Sequence, residues 1–381
     1  MKITNVTPVL VNNFLYVEVE TDAGIKGLGE AGAWGFLEAC VGAVQQLKSA
    51  ILGQDPLRIE YLWNYMYRCY HFRGAVIMSA LSAIDIALWD IAGKHFGVPV
   101  YQLLGGRCRD KARVYYHAKG ETQEKLMQGI NEAKALGFNA VGHLNPLLDS
   151  ERSRKALFKT NVRCIEDAID AVRQYREAAG DEMDLCIEIH RRCSIHDSIT
   201  LARGIEKYHP YFYKDPVKPD NFDDMAEVSR KIHIPIATGE RFHTPQEFAM
   251  LLRRRAVQFA RISVCIGGGI TGARKIAALA EAVGVEVIPQ YNPLSPVSTM
   301  ACLQIAAAIP NFAILEYMNG QDAPPQSEIV GPAPKLTGDG FMLFNTTPGI
   351  GMKILPGAVE KYPFKPWNRA PALNKFDGSI L

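Results

Sequence analysis

The sequence predicts an α/β chain: a (β/α)8-type barrel with an N-terminal α+β capping domain and a C-terminal tail packing on the cap. Three observations predict it. Between Leu185 and Arg241, three short apolar runs end in Glu188, Lys214 and Glu240, each 26 residues from the next. Helical patterns over Ser194–Tyr208 and Asn221–Lys231 separate these runs. The same rhythm of apolar strand, polar tip and helix fills eight units from Val114 onward, the number that closes a barrel.

The elements follow in order. Residues 2–21 alternate and are rich in Val, Thr and aromatics, and Asp22-Ala23-Gly24 reads as a turn, so an antiparallel hairpin is expected. A strand-like segment, Ile25–Glu30, leads to the Gly-rich loop Ala31–Gly35 with Trp34 at its tip. Helical spacing runs through Phe36–Leu52, Arg58–Tyr70 and Ala75–Phe96, where Ala80, Ile84, Ala87, Leu88 and Ile91 recur on one face. The cap is placed at residues 1–113, the barrel at 114–318 and the returning tail at 319–381.

The barrel strands are expected at Val114–Ala118, Ala140–Leu144, Leu185–His190, Phe212–Asp215, Ile236–Glu240, Phe259–Ser263, Val285–Pro289 and Ala313–Glu316. Helices over Gln123–Leu136, Val162–Ala179, Thr271–Val283 and Val297–Ala308 fall between strands. The connection Asn145–Asn161 carries six charged residues, and a loop of that length reads as a lid or a disordered segment. The tail is rich in Pro and Gly and is expected to be irregular.

Composition narrows the function classes. A chain of 381 residues with 48% hydrophobic residues can bury a large core. A net charge of +2 gives no reason to expect nucleic acid or a membrane surface as partner. No uncharged apolar run of membrane-spanning length is found, and the N-terminus lacks a signal-peptide pattern. The eight cysteines are scattered without a CxxC pair, which fits reduced thiols and a cytoplasmic location.

Strand C-termini carry the chemistry of such barrels, so Glu188, Lys214 and Glu240 should converge in one mouth. Side chains alternate along a strand; if Lys214 faces the mouth, Asp215 faces away unless the strand end is distorted. Lys214 is expected to pair with the two acids and stay protonated, the alternative being an outward swing to solvent. His143, His190 and His243 lie at strand tips, where a structural role competes with proton transfer. Gly267–Gly269 reads as a tight turn or an anion cradle at a helix N-terminus.

The order of elements resembles the enolase superfamily, and most closely its mannonate dehydratase-like group of sugar-acid dehydratases. The residues that carry the resemblance are Ala87-Leu88-Trp89-Asp90-Ile91, Tyr101–Gly106, Gly267–Gly272, Pro310-Asn311-Phe312, Glu316-Tyr317-Met318, Asn368-Arg369 and Asp377-Gly378. The resemblance implies proton abstraction next to a carboxylate, with Mg²⁺ held by three carboxylates on the third, fourth and fifth barrel strands. It implies a small sugar acid as partner and a homo-oligomer. Glu188 and Glu240 match the first and third metal positions, and Lys214 stands at the second. An ammonium cannot ligate Mg²⁺. At about 4 Å and an effective dielectric of about 20, each unit-charge pair amounts to about 4 kcal/mol, so Mg²⁺ binding is expected to be weak or absent.

The remaining site expectations come from the same resemblance. His190 matches the histidine that acts as acid or base, and Lys214 is a second candidate for the chemistry. His117, Arg261, Glu316 and Trp34 match or lie near substrate positions, and Gln290 falls where a proton-carrying His is expected. Gln transfers no proton at neutral pH. Gly142 falls where an Arg is expected. Two outcomes stand open: a divergent dehydratase or isomerase with impaired proton abstraction, and a catalytically silent relative that binds a small acid as sensor or scaffold.

Overall fold

The computed structural model describes residues 1–120, 122–148, 159–290, 295–367, 377 and 379–380. Most of the long charged loop, and Asn368-Arg369 of the tail, lie outside the described residues. The cap opens with an antiparallel sheet of β1 (Ile3–Val11), β2 (Phe14–Thr21) and β3 (Lys26–Glu30). Four helices follow, α1 (Leu37–Ile51), α2 (Ile59–Arg68), α3 (Ala75–Phe96) and α4 (Val100–Leu103). By length and composition α3 could cross a membrane, but 78% of its apolar window is buried inside the protein, and it serves as a core helix.

The second unit alternates strands and helices: β4 (Lys111–His117), α5 (Gln123–Ala135), β5 (Ala140–Leu144), α6 (Asn161–Ala179), β6 (Asp184–Glu188) and α7 (Ile195–Ile205). It continues with β7 (Phe212–Lys214), α8 (Phe222–Lys231), β8 (Ile236–Thr238), α9 (Pro245–Arg253), β9 (Phe259–Ser263) and α10 (Gly269–Glu281). It ends with β10 (Glu286–Gln290), α11 (Pro296–Ala308) and β11 (Leu315–Tyr317). The strands are parallel in the order β10-β9-β8-β7-β6-β5-β4-β11. A parallel bridge between Val287 and Phe312 joins the two ends of that row and closes the barrel.

The tail adds α12 (Gln326–Ile329), β12 (Val330–Gly331), β13 (Phe341–Leu343), β14 (Lys353–Ile354) and α13 (Ala358–Lys361). It is less irregular than expected, and it reaches the barrel before the cap. β13 pairs antiparallel with β4, Phe341 opposite Arg113. Only then does the chain return to the cap, where Asn12 N donates to Tyr362 O at 2.8 Å.

Local sequence explains the helix starts. Thr122, Ser194, Asn221, Thr244 and Ser295 each cap the next helix by accepting a backbone N–H. Helix α10 starts differently. Its N-cap is Gly268 at φ +93°, with no side chain to offer. The missing acceptor comes from α3, where Asp85 takes the Thr271 N–H at 3.0 Å and the Thr271 hydroxyl at 2.6 Å. The glycine turn is therefore a docking surface: a Cβ on Gly268 would meet the Trp63 ring at 2.9 Å, and one on Gly269 would meet Asp85 Oδ2 at 2.3 Å. The anion at this helix N-terminus is the cap's own carboxylate.

Candidate functional site in the barrel mouth

The site is the second storey of a layered interior. Tyr115, Ala140, Cys186, Phe212, Ala237, Phe259, Ile288 and Ile314 form one buried cluster, with a residue from each barrel strand or its flank. Side chains on a strand repeat their direction every second residue. Two positions on stand His117, Gly142, Glu188, Lys214, Gly239, Arg261, Gln290 and Glu316. The apolar floor thus fixes the polar layer above it, and the six side chains of that layer are buried. Gly142 is small for a reason: a Cβ there would meet the Tyr115 ring at 2.3 Å.

Lys214 lies at the centre, 2% exposed, and does not swing outward. Its Nζ donates to Glu188 Oε2 at 2.9 Å and lies 2.7 Å from Glu240 Oε2. His190 Nε2 is also 2.9 Å from Glu188 Oε2. On the far side, Arg261 donates to the Tyr115 hydroxyl at 2.8 Å, to Glu316 Oε2 at 2.6 Å and to Gln290 Oε1 at 3.5 Å. Glu316 Oε1 pairs with His117 Nδ1 at 2.6 Å. The Tyr115 hydroxyl links the halves by donating to Glu188 Oε1 at 3.4 Å.

Burial and charge compete at each group. Burial alone would lower the Lys214 pKa, but Glu188 and Glu240 outweigh it and leave the ammonium raised above its ordinary value. Burial alone would raise both glutamates; Lys214 reverses this and holds them below the usual carboxylate range. The His190 imidazole is lowered by burial and by Lys214, against the pull of Glu188. His143 is lowered further by burial and by neighbouring His117. The mouth therefore holds a protonated amine, ionised acids and neutral imidazoles at His143 and His190.

Eight of the nine expected site residues share this network. Trp34 is the exception among the described contacts: its ring packs 5.1 Å from the Trp367 ring, on the loop after β3. His243 precedes the Thr244 cap of α9; its backbone N–H donates to Glu247 Oε2 at 2.8 Å and its Nδ1 lies 3.5 Å from Glu247 Oε1. For Asp215 the exception left open by the sequence applies: the strand end is distorted, and the side chain does not face away from Lys214. Strand β7 stops at Lys214, Asp215 takes φ +45°, and its Oδ2 comes to 3.8 Å from Lys214 Nζ.

Sequence reasoning also missed two partners of that aspartate. Arg191 donates to Asp215 Oδ2 at 2.8 Å, and the Thr238 hydroxyl donates to Oδ1 at 2.6 Å. His143, Arg191, His190 and Asp215 all have positive φ, at three adjacent strand tips. Left-handed backbone at non-glycine residues costs roughly 1–3 kcal/mol each and concentrates at functional sites. His143 stacks on His117 at 4.0 Å, and its buried Nδ1 has no hydrogen-bond partner among the described residues. His143, Glu188 and His190 present ligand-type atoms all within 4.8 Å of one another. An extra signal was available: a His at each of three successive tips, β4 to β6.

Known families account for this architecture. Residues 2–105 match the mandelate racemase / muconate lactonizing enzyme N-terminal domain, and residues 143–358 match the enolase C-terminal domain-like family. The chain belongs to the enolase superfamily. Within the superfamily it is similar to D-galactonate dehydratases from Verminephrobacter eiseniae and Ralstonia pickettii. Each is 33% identical, over all of this chain and 99% of the relative. Among solved structures it is similar to a candidate galactarate dehydratase from Agrobacterium radiobacter with bound Na and L-malate. That match has TM-score 0.91 and 29% identity, covering 100% of this chain and 99% of the other. A candidate dehydratase from Salmonella enterica matches at TM-score 0.87 and 32% identity, covering 95% and 98%. Enolase-superfamily proteins use Mg²⁺. The two carboxylates matched to that ion stand here 2.9 and 2.7 Å from an ammonium nitrogen.

Proposed function

We propose that this chain is a divergent member of the sugar-acid dehydratase group, keeping a small-acid pocket and impaired in Mg²⁺-assisted proton abstraction. The observation that carries the reading is the Lys214 ammonium, within hydrogen-bonding distance of both Glu188 and Glu240. Mg²⁺ needs hard oxygen ligands in near-octahedral array. Glu188 and Glu240 do not offer that to an ion while the ammonium is seated between them, so no step is routed through one. Lys214 itself is held protonated by the two acids, which makes it a poor base and nucleophile. What it can do is neutralise the acids and stabilise an anion entering from the mouth. His190, at the tip of β6, is the remaining candidate base.

Gln290 favours a second reading, a catalytically silent protein that binds a small acid as sensor or scaffold. It stands where the resemblance calls for a second proton carrier, and its buried Nε2 has no hydrogen-bond partner among the described residues. Calorimetry and turnover together test both readings. The expected result is no stoichiometric Mg²⁺ binding by the unaltered chain and a gain of binding in Lys214→Glu. One tightly held Mg²⁺ per unaltered chain would refute the replacement of ion by amine. D-Galactonate bound but not consumed would select the silent binder, whereas its dehydration would select the divergent enzyme.

A further inference from the structure

We propose that Glu30 is a proton-operated latch, which holds the Ala31–Gly35 loop of the cap on the β9 and β10 side of the barrel mouth while its carboxyl is protonated and releases it on ionisation. Contacts on both sides of the seam place the latch. Glu30 ends β3, immediately before the loop. Its Oε2 accepts from the Ser295 hydroxyl and from the Ser298 N–H, the latter at 2.9 Å, at the start of α11. Beyond it, the Gly32 N–H donates to Cys265 O at 3.1 Å, just past the end of β9. The Gly32 and Ala33 N–H groups also share the Ser79 hydroxyl of α3, at 2.7 and 3.0 Å. The loop is thus pinned beside the two strands that carry Arg261 and Gln290 into the mouth.

Half of the carboxyl is unsatisfied. Glu30 Oε1 is buried and has no hydrogen-bond partner among the described residues, and neither has the Tyr16 hydroxyl. Tyr16 stands directly opposite Glu30 in the pairing of β2 with β3, so the two side chains share one face of that sheet. An orphaned buried oxygen costs far more when it carries charge. The titratable groups around it are Tyr16 on β2, Cys265 beyond β9 and Cys302 on α11, each raised first by burial and then by the charge on Glu30. None of them can supply a positive charge. On α3, which packs against β3, Asp85 is engaged with Thr271, and Asp90 with Lys94 and the Leu28 N–H. Desolvation accordingly lifts the Glu30 carboxyl to about 7. On opening, water solvates the group, its proton goes to solvent and its ordinary value returns. Docking is therefore fully favoured below the ordinary Glu range, and that contribution is lost as pH rises to about 7.

Amide hydrogen exchange of the full chain, read by mass spectrometry from about pH 5 to about pH 9 and corrected for the intrinsic rate, tests the latch. Opening of residues 31–35 should rise about tenfold per pH unit up to about pH 7 and level off above it, while the interior of α3 stays protected. Glu30→Gln should abolish the slope. Asp85→Asn, at the other buried carboxyl of the seam, should keep it. Ser295→Ala removes one donor to the carboxyl and should carry the levelling point to higher pH, which keeps the test decisive should the glutamine variant fail to fold. Exchange flat with pH in the unaltered chain, a slope kept in Glu30→Gln, or a levelling point unmoved in Ser295→Ala would overturn the latch. The outcome does not depend on Lys214 or on any ion in the mouth, so the latch stands or falls apart from the proposed function.

Discussion

Two sets of acids face opposite ways in this molecule. In the barrel mouth the buried Glu188 and the partly buried Glu240 surround an ammonium; desolvation would raise them, but the cation holds them ionised. Where the cap meets the barrel, Asp85 and Glu30 sit at the N-termini of α10 and α11 with only hydrogen bonds for company. Glu30 accepts the Ser295 hydroxyl and the Ser298 N–H, the latter at 2.9 Å. Burial dominates there and pushes both carboxyls up to about 7. At these two acids helix dipoles and N–H donors soften the buried charge but do not outweigh desolvation, whereas the ammonium between the mouth acids does; one cation is not always enough, since Asp90 stays raised by burial with Lys94 2.6 Å away.

Removing the cation should give the largest effect. Lys214→Met removes the ammonium from between two acids and leaves Glu188 to His190 and the Tyr115 hydroxyl and Glu240 to Arg191 at 3.9 Å; removing one partner of such a pair costs about 3–5 kcal/mol. Urea unfolding of the variant should show this loss at pH 8 and a smaller one at pH 5, because acids that have lost their ammonium protonate more readily. The unaltered pair should contribute evenly between those limits. A depressed acid loses its contribution only as pH falls through its folded pKa, and a raised lysine only as pH rises above its own. A variant equally weakened at both pH values would break the contrast between the two regions.

The cap acids carry the opposite sign. A carboxyl with folded pKa about 7 and an ordinary unfolded value binds more protons folded than unfolded across that interval. Stability should therefore decline as pH rises from about 4 to about 7, by on the order of 3–4 kcal/mol per group. Asp85→Asn should remove about half of that slope, read from denaturant midpoints at a series of pH values. Glu30→Gln should remove the rest. A slope unaltered in both variants would mean that the carboxyls are ionised by an unrecognised partner.

The two regions also differ in how far the sequence revealed them. Three mouth residues, Glu188, Lys214 and Glu240, were legible by a local rule, charged tips at even spacing on apolar strands; His117, Arg261, Gln290 and Glu316 came only from the family resemblance. The left-handed turn at Asp215 was not legible, because alternation holds only while the strand continues, and β7 ends at Lys214. Arg191 was passed over for the same reason, lying just beyond its strand. The cap acids were invisible because their partners lie 186 and 265 residues away. A weaker clue existed in Asp85, a carboxylate on the apolar face of a long helix, which requires a donor from somewhere.

The smallest effect should come from an acid that looks, by its shift alone, like the mouth pair. Glu227 on α8 is pulled down to about 2 by hydrogen bonds from Lys231 and Arg230, 2.6 and 2.8 Å away. Its direction matches Glu188, but it lies in solvent, where water and salt already stabilise the carboxylate. Exposed pairs hold little free energy, and screening at about 0.15 M salt weakens them further. Glu227→Gln should leave the unfolding midpoint within measurement error at pH 7. A pKa shift measures the preference of one group for one charge state; only burial turns the loss of its partner into a defect of the fold. A drop in Glu227→Gln comparable to that of Lys214→Met would show that the shift itself, and not the dryness of its surroundings, governs stability here.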